Sequence, residues 1–174
     1  MKLRLACVLT ILIELFQLTS ANFDIYWEHH WDVRYPHAGY KVFGDKPRNC
    51  GDPAAAPRFD YSDDVSGNKK GVRCEGQGCV ADFDPGSITV MEMHFGNRPL
   101  LHWTIYRDRP PNEKYQMFPL KGRSEGYCFP YPNDEYVCNV DHGYRKVRCI
   151  THYTADEINA SRFASLNGTE SGGG

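Results

Sequence analysis

Six cysteines, Cys50, Cys74, Cys79, Cys128, Cys138 and Cys149, follow a leader-like N-terminus, and they restrict the folds open to this chain more than any other feature. Residues 1–21 carry Lys2 and Arg4, then an apolar run from Leu5 to Phe16, then small residues at Thr19 and Ala21, the pattern of a secretory signal peptide. The apolar run is shorter than the ~20 residues a membrane span needs. No membrane anchor is therefore expected, the protein is expected to be secreted, and the mature chain should begin near Asn22. Cys7 leaves with the leader. An even number of cysteines in an exported chain is the ordinary signature of disulfides, and sequence alone does not choose among their possible pairings.

Residues 22–166 are expected to form a single small Cys-rich globular domain, active as a monomer. Removing Lys2, Arg4 and Glu14 leaves a net charge of about −3, so no global positive field draws the protein onto phosphate. The aromatic N-terminal run from Asn22 to Phe43, interrupted by Pro36, reads as short strands and turns rather than one helix. Its histidines, His29, His30 and His37, have no adjacent fourth ligand. Residues 44–71 are rich in Gly, Pro, Asp and Ala and read as a long loop. Thr154 to Leu166 reads as a helix, with a Thr154–Glu157 capping box and apolar Ile158 and Leu166. Residues 167–174 read as a flexible tail. The fold class that follows is α+β, predominantly short antiparallel strands with one C-terminal helix.

The stretch 72–102 is the most chemically suggestive, because Cys74 and Cys79 are followed by Phe83, His94 and His102. This order resembles a stretched two-cysteine, two-histidine zinc finger, which implies a zinc ion held by Cys74, Cys79, His94 and His102. Fourteen residues separate Cys79 from His94 and seven separate the histidines, against roughly twelve and three to five in the family. Two local structures compete. In one, Asp84 or Ser87 caps a short helix carrying Ile88, Met91 and Phe95. In the other, Ser87 to Phe95 and Leu100 to Tyr106 form a hairpin about Gly96–Pro99, which the β-branched Ile88, Thr89 and Val90 favour. Register then decides the chemistry: only an odd-length loop would set His94 directly across from His102.

A second Cys/His-rich stretch, 127–152, contains Cys128, Cys138, His142, Cys149 and His152 at spacings that match no finger, and reads as disulfides with surface histidines. Arg145, Lys146 and Arg148 are the strongest basic cluster and the candidate contact for nucleic acid, with Tyr144 and Tyr153 nearby to stack on bases. Asn159 and Asn167 stand in glycosylation sequons.

Three patches also resemble the fungal guanyl-specific ribonucleases: Tyr35-Pro36-His37, the segment Tyr115 to Leu120, and Ile150-Thr151-His152. The resemblance implies His37 and His152 as acid–base residues. Gln116 occupies the position of the family's glutamate, and Asp134 or Glu135 that of its arginine, which removes the base and the phosphate-stabilising cation. An enzyme is thus not the first expectation. The leader, size, cysteine count and stretched finger together resemble small secreted effectors of plant-associated fungi. That resemblance implies a partner that is host nucleic acid or host protein, action in the host nucleus by DNA binding, and zinc taken up once a reducing compartment frees Cys74 and Cys79. The alternatives are an inactive ribonuclease-fold effector and an extracellular disulfide-stabilised binding protein.

Overall fold

In the computed structural model, residues 21–31 and 37–164 are described. The leader up to residue 20, the expected 167–174 tail and the Asn167 sequon lie outside them. Among the described residues, ten strands form two antiparallel sheets packed face to face, flanked by two α-helices. Strand β1 (Ala21–His30) is the spine of the larger sheet. It pairs with β2 (His37–Phe43) on one side and with the long β10 (Asp141–Thr151) on the other. Beyond β2 lies β3 (Phe59–Asp60); beyond β10 lie β8 (Gly126–Pro130) and β9 (Glu135–Cys138). The smaller sheet runs β4 (Gly71–Glu75), β5 (Val90–Asn97), β6 (Leu100–Tyr106), β7 (Phe118–Pro119).

Period-two alternation explains the core. Phe23, Ile25 and Trp27 of β1, Tyr40 and Val42 of β2 and Val147 and Cys149 of β10 point toward Met91, Met93, Phe95, Leu101, Trp103 and Ile105 of the smaller sheet. The opposite face of β1 is buried as well, which is unusual for an antiparallel sheet. Asp24 and Tyr26 are fully buried and Glu28 nearly so. That face is covered by a second small core of Tyr26, Phe43 and Tyr136 under the short helix α1 (Gly51–Ala55). Lys41 holds α1 down by donating to the Pro53 carbonyl at 2.7 Å. The Gly44–Gly71 segment, expected to be loop throughout, therefore contains a helical turn and strand β3, because it lids buried side chains.

Two seams join the sheets into a flattened barrel. Tyr61 bridges Val72 beside β3 and β4. On the far side, Met117 exchanges hydrogen bonds with Gly126 and Glu125 while Cys128 donates to the Tyr115 carbonyl. The C-terminal helix α2 (Ala155–Ala164) closes one end. Its expected capping box is present, with Glu157 N–H donating to Thr154 Oγ1 at 3.2 Å and Thr154 N–H to Glu157 Oε2 at 2.8 Å. Ile158 is fully buried. Gly96 permits close approach of this helix, since a Cβ there would lie 2.9 Å from the Ser161 Cβ.

All six cysteines are paired: Cys50–Cys138, Cys74–Cys79 and Cys128–Cys149. Their separations of 88, 5 and 21 residues set very different constraints on the unfolded chain. On the loop-entropy relation, removing Cys50–Cys138 by a double alanine substitution should cost about 4–5 kcal/mol, against about 2 kcal/mol for Cys74–Cys79. Urea unfolding of the two variants checks this order; equal losses would contradict it.

Candidate functional site

Within 72–102, strand β4 leads through two 3-10 turns into the β5–β6 hairpin, the second of the two local structures expected there. Asp84 does cap a turn, accepting from Gly86 N–H at 2.9 Å, but the turn is a single 3-10 unit over Pro85–Ser87. His94 pairs directly with His102 across β5 and β6, although Asn97 pairs with Leu100 around a two-residue turn. The register that needed an odd loop is supplied instead by a β-bulge at Phe95. Ser161 Oγ on α2 lies 2.9 Å from the Phe95 carbonyl, so helix and bulge fix one another.

The two imidazoles stack with centroids 4.4 Å apart and planes 8° from parallel, beneath Val65. His94 Nδ1–H donates to the Val65 carbonyl at 2.9 Å, and its Nε2 lies 2.8 Å from Asn97 Oδ1. His102 Nε2–H donates to Glu92 Oε1 at 2.9 Å, and Arg73 Nε pairs with the other oxygen of Glu92. Burial pushes the His102 pKa down, the neighbouring His94 acts in the same direction, and Glu92 opposes. Val72, Cys74, Met91 and Met93 share the inner face of the sheet, whereas Arg73, Glu92, His94 and His102 share the outer one. The two cysteines and two histidines thus lie on opposite faces, with the cysteines joined to each other. Among the described residues no three His, Cys, Asp or Glu side chains are grouped to hold a metal ion. A centre built from Cys74, Cys79, His94 and His102 requires both reduction and a turned-over β4. Zinc-to-protein ratios in oxidised and reduced protein test this, and stoichiometric zinc on these four residues in the oxidised state would contradict it.

The basic cluster on β10 is an interior charge network. Arg145 is 5 % exposed and Lys146 1 %. Arg145 bonds Asp24 at 3.0 Å and also Asp134; Arg148 grips both oxygens of Asp24 at 2.7 and 2.8 Å and reaches Asp45 at 3.1 Å. Lys46 adds a 2.6 Å contact to Asp134. Arg145 and Lys146 are buried and Arg148 is partly exposed, so a phosphate would have to displace these carboxylates to reach the expected nucleic-acid face. The second bulge of the fold, opposite Ile25 and Tyr26, aims Lys146 inward, where it donates to the Val80 carbonyl. A cleft of about 760 Å³ lies alongside, between Asp82–Pro85, Pro132–Glu135 and Tyr144–Lys146. Its four carboxylates outnumber Arg145 and Lys146, which again disfavours an anion.

The ribonuclease-like pair is not assembled. His37 pairs with His30 at one end of β1, and His152 follows Thr151, the partner of Ala21 at the other end. Nine strand steps place them on the order of 30 Å apart. His37 stacks on His30, which bonds Asp141 at 2.6 Å; the His152 ring lies tilted against Tyr153, centroids 4.0 Å apart. Of the sequons, Asn159 sits within α2 and donates its Nδ2 to the Val42 carbonyl at 3.0 Å. A glycan there would compete with helix docking.

Sequence reading missed one surface. Tyr127 and Phe129 alternate along β8 and Tyr131 follows just beyond its end, with centroid separations of 6.4 and 6.1 Å. The signal is the i, i+2, i+4 spacing of the three aromatic residues. No protein-family model, curated protein or solved structure matches the chain.

Burial lowers the Lys146 pKa to about 8, with Asp82 opposing. Between that value and 10.5 the unfolded chain holds a proton that the folded one has released, so this group makes stability rise with pH. The gain should be on the order of 2 kcal/mol from pH 8 to 10. Urea unfolding of wild type and Lys146→Met across that range isolates it; an unchanged pH slope in the variant would refute the assignment.

Proposed function

We propose that the protein is an exported, disulfide-braced binding module of the small secreted effector kind, acting through its surface and not through a catalytic centre. The observation that carries this reading is that each of the six cysteines beyond the leader is paired. Such pairing suits an oxidising compartment and is disfavoured in cytosol. One bridge, Cys50–Cys138, clamps α1 to β9 of the large sheet, and another, Cys128–Cys149, links the neighbouring strands β8 and β10 within it. A second reading, DNA binding in a host nucleus after zinc uptake, is favoured by one feature, the direct opposition of His94 and His102. It needs the reduced, rearranged state described above.

Thiol titration of protein recovered from the culture medium, together with circular dichroism before and after reduction, tests the first reading. The expected result is no titratable thiol in the native protein and loss of β-structure on reduction. Free thiols at Cys74 and Cys79 in the exported protein would overturn it. Cleavage of RNA that disappears in His37→Ala and His152→Ala would instead establish an enzyme.

A further inference from the structure

We infer that the outer face of β8 is a binding platform for a neutral polysaccharide, seated on Tyr127, Phe129 and Tyr131. This rests on the reading of the chain as an exported binding module and names the ligand class for it. Alternation along the strand puts Tyr127 and Phe129 on one face, and Tyr131, just past the strand, joins them through its packing on Phe129 and Arg145, while Cys128 between the first two is buried in the core and anchored to Cys149. Tyr127 is 51 % exposed and Tyr131 37 %, with Phe129 half-buried between them. The rings follow the strand axis in a line, so the platform suits an extended polymer better than a compact small molecule.

The rings are held in place. Arg145 packs against Tyr131 with its guanidinium carbon 4.1 Å from the ring centroid, and Arg148 lies 5.9 Å away. Strand pairing sets Phe129 opposite Arg148 and Tyr127 opposite Ile150. An aromatic surface ordered before the ligand arrives loses little entropy on binding.

Charge complementarity selects the ligand. The three cations behind and beside the rings, Arg145, Arg148 and Lys46, are matched by three carboxylates, Asp24, Asp45 and Asp134, each in direct contact. Single-stranded nucleic acid also stacks on aromatic rows, but its affinity comes from neutralising phosphates with cations that are not already paired. Anionic lipid makes the same demand. A sugar polymer does not: its C–H faces pack on the negative faces of aromatic rings, and its hydroxyls both donate and accept. At the surface the exposed Asp45 and Lys46 and the partly exposed Arg148 offer an acceptor and donors, while Arg145 and Asp24 are buried behind them, which suits an uncharged polyhydroxyl chain.

The test uses the full oxidised mature chain, with thiols counted on the same sample. Binding is measured by titration calorimetry against a β-1,3-glucan oligosaccharide and a chito-oligosaccharide, both uncharged, with oligogalacturonate and polyuridylate as anionic probes. The expected result is saturable binding of at least one neutral probe, unchanged by added salt. Tyr127→Leu and Tyr131→Leu should each weaken it at least about fivefold, whereas Tyr127→Phe, which keeps the ring, should not. Thermal unfolding of each variant separates lost binding from lost fold, and Tyr127→Phe supplies the matched control. No binding of either neutral probe, preferential salt-sensitive binding of an anionic probe, or unaltered affinity in both leucine variants would overturn the inference. If those outcomes come with a thiol-free, folded sample, the platform falls and the binding-module reading stands; free thiols would remove that reading itself.

Discussion

The carboxylate of Asp24 sits at zero exposure on the central strand and is held by two guanidinium groups from β10, Arg145 and Arg148. An ionised carboxylate left alone in such a place would cost several kcal/mol, so the pairing of β1 with β10 and the burial of their shared outer face stand or fall together. Glu28, two residues past Tyr26 on the same face, obeys the same rule through Lys41 at 3.0 Å and the Tyr136 hydroxyl. Replacing one member of either set would strand the others in a water-poor layer. The energy of the network is therefore best understood as specificity of register: a one-residue slip of β10 would move Arg145 and Arg148 to the apolar core and Val147 to the carboxylates.

That network explains which features could be read from sequence and which could not. The α2 capping box needs only Thr154 and Glu157, three residues apart, and was legible because its physics is local. The hairpin was legible for the same reason. The bulge at Phe95 was not, because nothing in its side chain distinguishes it; its position is set by Ser161, sixty-six residues later in the chain. Arg145 and Arg148 looked like a surface patch because their partner Asp24 is 121 and 124 residues away. Long-range partners convert charged clusters into interior structure, and no window of sequence reports them.

The cysteines carry a related lesson. Cys74 and Cys79, close in sequence and followed by histidines, invite a metal reading, yet strand alternation sends thiols and imidazoles to opposite faces. Spacing along the chain is a ligand criterion only where the local structure is known, since the same interval converges in a helix and diverges in a strand. Cys128 shows the converse. It is sealed in a disulfide, while the residues on either side of it, which alternate with it and face outward, form the more distinctive surface.

The two seams have a bearing on how the sheets avoid pairing with another chain. Open sheets end in strands whose backbone groups are available to template another chain. Here the outermost strands of each sheet turn to each other, through Tyr61 with Val72 and through Met117 with Gly126, so those edges are occupied from within the molecule. The short stretches that make the seams contribute little to the core, yet they limit self-assembly through these edges and leave the exposed aromatic rings of β8 on a face of the barrel and not on a rim open to strand addition.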